Sequence, residues 1–143
     1  MKKIIIVLII SALFLVGCAS NSDDVIEIQD RFFIHQVNDI VLNHSQYLGR
    51  TIQYEGLFVT APNEGAEPDI HLVYRYILGC CGPEGITGFI VNIGDFEPLP
   101  TYSWVKVVGV LEEFVDDNDI THIRLALSSL TELEERGNEF IPR

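Results

Sequence analysis

Between Asp30 and Leu48 the apolar residues Phe33, Val37, Ile40, Val41 and Leu48 recur at helical spacing. With Asp30 placed as an N-cap and Gly49 as the stop, the pattern predicts one amphipathic helix. His35, Asn38, Asp39, Asn43 and Gln46 fall on its polar side, while His44 and Tyr47 lie near the apolar boundary. After Gly49 the period drops to two. Ile52, Tyr54, Gly56 and Phe58 alternate with Thr51, Gln53 and Glu55, which predicts a strand over 50–60 closed by the loop Ala61-Pro62-Asn63-Glu64-Gly65. A second strand is expected from about Ile70 to Leu78, followed by a turn built on Gly79-Cys80-Cys81-Gly82-Pro83-Glu84-Gly85. The third runs from Ile86 to Ile93 with Thr87, Phe89, Val91 and Ile93 on one face. Trp104 to Phe114 and Ile120 to Leu130 complete the set, joined by a hairpin tip at Asp116-Asp117-Asn118-Asp119. The end from Glu132 to Arg143 reads as a fraying, acidic tail.

Five strands in so short a stretch leave little room for parallel crossovers. The expectation is a mainly β fold, a small OB-like five-stranded antiparallel barrel with one N-terminal amphipathic helix. Gly56 and Gly109 support it. Each sits mid-strand in similar surroundings, and a glycine there relieves crowding where a strand bends sharply. An open sheet with the helix laid across one face is the alternative.

The N-terminus carries an address. Lys2 and Lys3 precede an apolar or small-residue run from Ile4 to Val16, of the length expected for the core of a signal peptide and too short for a transmembrane helix. It ends in Leu15-Val16-Gly17-Cys18, which resembles a bacterial lipobox. That resemblance implies cleavage before Cys18 and attachment of acyl chains such as palmitate, each buried methylene contributing about 0.8 kcal/mol to anchoring. The expected layout is a leader over 1–17, a lipidated tether over 18–29 and a single domain over 30–143, held to the extracytoplasmic face of a bacterial cell membrane.

The chain has 143 residues, one domain's worth, with 48% hydrophobic and 21% charged residues. This composition excludes wholesale disorder and disulfide-scaffold classes. Beyond the leader, seven basic residues stand against 21 acidic ones, a net of −14. Such a surface repels a phosphate backbone, so nucleic acid is not an expected partner.

With Cys18 assigned to lipid, the remaining cysteines are the adjacent pair Cys80-Cys81, on the side of the membrane where thiols tend to be oxidised or metal-bound. Neighbours on an extended strand point to opposite faces, so joint use of both sulfurs requires a turn, which Gly79, Gly82 and Pro83 supply. Three fates are open. One is a thiolate site for zinc or another thiophilic metal, with Glu84, His71 and, more remotely, His122 as further ligands. Another is a vicinal disulfide. The third is a buried structural pair at a strand end. No phosphate-cradling glycine loop, zinc-protease or serine-hydrolase signature is present, and no enzyme activity is expected. The aspartates of the last hairpin lack the glycine and distal glutamate of a calcium loop and read as a solvated tip. Arg75, set among aromatic residues, is expected to pair with a carboxylate or to lie over Tyr74 or Tyr76 in a structural role.

Several stretches taken together resemble a known family. They are Ile26-Glu27-Ile28 with Phe33, then Tyr47-Leu48-Gly49-Arg50-Thr51-Ile52 with Gly56, then Arg75 followed by Cys80-Cys81 and Glu84, then Trp104-Val105-Lys106-Val107-Val108-Gly109. The mature chain resembles the extracytoplasmic domain of the permease-subunit family containing DUF1980 proteins. Glu84 stands where aspartate is more typical, a lipoprotein signal replaces the family's transmembrane helices, and Glu139-Phe140-Ile141-Pro142-Arg143 lacks a Pro-Tyr-type ending. The resemblance implies an accessory module beside an integral-membrane permease and carries no catalytic role. The first expectation is thus a membrane-anchored accessory or ligand-binding module. A thiol redox protein using Cys80-Cys81 and a non-catalytic envelope scaffold are the alternatives.

Overall fold

The computed structural model describes residues 24–62, 69–116 and 118–142. Leader, Cys18, the first part of the tether, the middle of the loop after Ala61 and Asp117 lie outside the described residues. The described residues form seven strands: β1 (Ile26–Glu27), β2 (Thr51–Ala61), β3 (Ile70–Gly79), β4 (Gly82–Asn92), β5 (Trp104–Val115), β6 (Thr121–Glu132) and β7 (Phe140–Pro142). One α-helix, α1 (Phe33–Leu42), follows β1. The order β2-β5-β6-β4-β3, with β3 pairing back onto β2, closes a five-stranded barrel, and β1 and β7 are added beside it. Its seams are antiparallel except the short parallel one between β4 and β6, at Val91–Leu125 and Asn92–Ala126. The expected OB-like barrel is therefore present.

Closure depends on bending β2. Its first half pairs with β5, from Thr51–Val110 to Leu57–Trp104, and its second half pairs with β3, from Leu57–Tyr74 to Ala61–Ile70. At the change of partner a Cβ on Gly56 would lie 2.9 Å from the Tyr74 carbonyl oxygen. Gly109 plays the same part in β5. The β5–β6 register slips between Val108 and Gly109, and a Cβ there would sit 2.8 Å from the Ala126 carbonyl oxygen.

Inward residues of all five barrel strands, among them Ile52, Tyr54, Val73, Phe89, Val107 and Leu125, share one core with Phe33, Val37 and Ile40 of α1. Tyr54 spans its middle. The Tyr54 hydroxyl donates to the Val73 carbonyl at 2.7 Å and accepts from the Phe89 N–H at 3.3 Å, while its ring meets Phe33 and Phe89 edge-on. Burial pushes this hydroxyl well above the ordinary tyrosine range, so it stays a neutral donor. A second cluster of Leu57, Tyr74 and Trp104 is covered by the segment leading to β7, where a Cβ on Gly137 would meet the Trp104 ring at 2.8 Å.

Four sequence expectations need correction. The helix is shorter than 30–48. A 3-10 turn precedes it at Asp30–Phe32, and α1 ends at Asn43, whose amide group turns back to Asp39 at 2.8 Å, so Val41 and Leu48 are left exposed. The folded unit begins before residue 30, because β1 joins the edge of β2 and Ile28 is buried in the core. The acidic tail does not fray. β7 pairs in parallel with β3 from Tyr76–Phe140 to Leu78–Pro142, buries Ile141 and stacks Phe140 on Tyr76. Finally, Pro83, Glu84 and Gly85 belong to β4 and not to the turn, which shrinks to Cys80-Cys81. Proline is tolerated there because β4 pairs with β6 only at Val91 and Asn92, leaving Pro83 without a partner strand on its outer edge among the described residues.

Arg75 is 1% exposed and occupies the gap where β3 leaves β2. Along that edge of β2, the Ile28 N–H donates to the Gln53 carbonyl at 2.9 Å, Arg75 Nε donates to the Glu55 carbonyl at 2.7 Å, and β3 takes over from Leu57. The guanidinium thus supplies the ladder bond that no strand supplies. Its Nη1 pairs with the Asp30 carboxylate at 2.8 Å, and its plane lies between Phe33 (4.5 Å) and Trp104 (5.0 Å). Asp30 is therefore not a helix cap, and the rings above and below the arginine are not Tyr74 or Tyr76. The carboxylate pairing expected for Arg75 is present.

Arg75→Lys keeps the charge but loses the fork and the flat stacking surface, and should lower unfolding stability by about 2 kcal/mol. Asp30 is 57% exposed at its side chain, so Asp30→Asn should cost about 1 kcal/mol or less. Urea midpoints of the two variants measure the difference; equal losses would show that the ion pair, and not the buried guanidinium, holds the seam.

Candidate functional site

The paired cysteines occupy the two turn positions between Gly79 and Gly82, which face each other as the last pair of the β3–β4 hairpin. Gly82 takes φ +133°, a conformation that side chains rarely adopt, and this lets the chain reverse in two residues. The reversal removes the up-and-down alternation that would have separated the side chains. Cys80 Sγ and Cys81 Sγ lie 3.2 Å apart, both residues are exposed and both thiols are free. A buried structural pair is therefore not what the chain contains.

Glu84 belongs to the same tip. A Cβ on Gly79 would fall 1.9 Å from the Glu84 carboxyl carbon, so this side chain folds back across the turn and needs the absent side chain at Gly79 to do so. His71 does not join them. It opens β3 opposite Val91, nine residues before Cys80, which along a strand amounts to roughly 30 Å. There its Nδ1 meets Thr60 Oγ1 at 3.0 Å and its ring stacks on Phe58. Partial burial pushes the imidazole below its ordinary value, with Asp69 pulling weakly the other way. His122 is spoken for as well, 2.9 Å from Asp116 on the β5–β6 hairpin. Among the described residues no group of three or more histidine, cysteine, aspartate or glutamate side chains is arranged to hold a metal ion. Of the ligands named from sequence, Cys80 and Cys81 touch and Glu84 lies against Gly79 at the same tip, while His71 and His122 sit elsewhere.

Asp116 of the last hairpin serves the turn. Asp116 accepts the N–H groups of Asn118 and Ile120, each at 2.9 Å, as well as the His122 contact. These bonds, that from Ile120 foremost, hold its carboxyl below the usual range.

Two concavities went unread in the sequence. One of about 310 Å³ is polar, with Asp30, Glu55, Arg75 and Lys106 on its walls. The other, about 860 Å³, is an open groove at the far end of β3 and β4, lined by Ile70, His71, Phe96, Phe114, Asp116 and Arg124 among others. Arg124 on its wall binds Glu112 at 2.7 Å while lying over the Phe114 ring at 4.7 Å. Residues from five separate segments form it, which no local pattern announces.

A closed β-barrel with an N-terminal helix, a buried arginine at its seam and an exposed dithiol turn defines a small β-barrel module. The model of the DUF1980 C-terminal domain matches residues 17–141, nearly the whole chain, and the protein belongs to that family. No curated protein and no solved structure matches it.

A carboxylate whose folded value is depressed contributes stability that is present above its ordinary value, about 3.9, and is lost as pH falls through the lower folded value. The Asn118 and Ile120 amides should therefore exchange faster as pH drops below about 4, once intrinsic exchange is corrected for, while core amides such as that of Phe89 hold. Amide exchange followed by NMR checks this; uniform behaviour across the two sets would remove the role assigned to Asp116.

Proposed function

We propose that the protein is a lipid-anchored accessory module on the extracytoplasmic side of the membrane, working beside an integral-membrane permease and holding a thiophilic cation at Cys80-Cys81 without turnover. The observation that carries this reading is the exposed pair of free sulfurs 3.2 Å apart on a two-residue turn. Tetrahedral zinc with Zn–S bonds of about 2.3 Å needs sulfurs about 3.8 Å apart, a separation reached by a small rotation of either side chain. Glu84, folded over Gly79, lies at the same tip. The two sulfurs leave coordination positions for water or for donors from another molecule. Such an incomplete set suits a site that passes its ion on. Family membership supports the accessory role, and the lipobox at Cys18 supports the anchor.

The same contact favours a second reading, in which the two thiols give up two protons and two electrons to an external disulfide and become a vicinal disulfide, the external disulfide leaving as two thiols. Oxidation would abolish the cation site, so the readings separate cleanly.

The reduced mature protein should bind one zinc or copper(I) ion per chain, more weakly as pH falls because the ligand is the thiolate. Cys80→Ser with Cys81→Ser should abolish binding while shifting stability by no more than about 0.5 kcal/mol, as befits an exposed turn. Native and denaturing intact mass reads both the bound ion and any two-dalton loss. Absence of bound metal in the reduced protein, together with a reversible dithiol couple, would replace the first reading with the second.

A further inference from the structure

The outer face of the hairpin that carries the thiols is apolar. Register sets Phe140, Tyr76 and Ile86 side by side across β7, β3 and β4, and sets Pro142, Leu78 and Pro83 in the next row toward the tip. Leu78, Ile86 and Phe140 are 42%, 52% and 45% exposed, and Tyr76 is half-buried against Phe140. The opposite face holds Arg75, Thr87 and Ile141, all buried, so the hairpin is packed on one side and open on the other. An exposed strip of aliphatic and aromatic side chains is unusual on a chain of net charge −12 and marks a contact surface.

The course of the chain bears on what that surface meets. β1 runs parallel to β2, and β2 antiparallel to β3. Followed backward from Asp30, which grips Arg75, the N-terminal chain therefore heads toward the C-terminal end of β3, where the hairpin tip lies. Asp24 lies only six positions after Cys18, about 20 Å at full extension. A lipid on Cys18 holds this end of the barrel within a headgroup layer's reach of the bilayer.

We infer that the strip formed by Tyr76, Leu78, Ile86 and Phe140 rests on the lipid surface, with the Cys80-Cys81 turn at its leading edge. This inference rests on the anchored reading above and deepens it: the thiols are held at headgroup level, where a permease opens. Contact is apolar and not electrostatic. The surrounding carboxylates disfavour anionic lipid, whereas tyrosine and phenylalanine suit the zwitterionic interface.

The test uses the full chain produced in a bacterium that acylates lipoproteins, with acylation verified by intact mass, reconstituted on phosphatidylcholine vesicles carrying bromines high on the acyl chains. Tryptophan reporters are introduced by Ile86→Trp and Phe140→Trp on the strip and by Ile70→Trp at the opposite end of β3, about 20 Å away. Relative to the unmodified chain, whose Trp104 is buried, the two strip reporters should be quenched at least twofold more than the Ile70 reporter. Equal quenching, or none from the strip in acylated protein, would overturn the inference while leaving the anchor intact. Quenching absent from vesicles but replaced by crosslinking of the strip to a membrane protein in native membranes would overturn it in favour of a protein contact. A chain that retains its leader and gains no lipid would sink the anchored reading and this inference together.

Discussion

Everything in this barrel that is not strand pairing converges on one guanidinium. A barrel of five strands needs β2 to serve two neighbours, and the bend that allows it opens a gap along its edge between β1 and β3. Leaving the Glu55 carbonyl unbonded there would cost about 1–3 kcal/mol. Arg75 closes the gap from the side, and its length and planarity make it suited to do so. The residual charge is met by Asp30 and spread over Phe33 and Trp104. One side chain thereby ties the N-terminal turn, the start of α1, β2 and β5 to β3. Lysine has neither the fork nor the flat face for this.

The consequence for the candidate site is mechanical. Beyond Arg75, β3 leaves its neighbour and continues as an arm with β4, flanked only by the short β7. The turn at the end of that arm is presented away from the barrel, its sulfurs exposed and its backbone set by Gly82.

Strand periodicity in the sequence held enough to foresee the barrel, and Gly56 and Gly109 marked its bends correctly because close backbone approach leaves no room for any other residue. Arg75 was recognisable as a residue requiring a carboxylate. Which carboxylate was not, because Asp30 lies 45 positions away and carried the look of a helix cap. β7 escaped notice for the same kind of reason: three residues have no period, and only the open edge of β3 gives Phe140 to Pro142 something to pair with. His71 does not reach the cysteines, since a ten-residue strand separates its own ends. The sulfur contact itself depends on a two-residue turn, and the run of glycines and proline around it allowed a longer one.

Tyr54 lies across the middle of the barrel, its hydroxyl donating to β3 and accepting from β4, with Phe33 and Phe89 against its ring. The cylinder is therefore solid through its axis. Among the described residues the barrel encloses no lumen, and it resembles a pedestal more than a vessel.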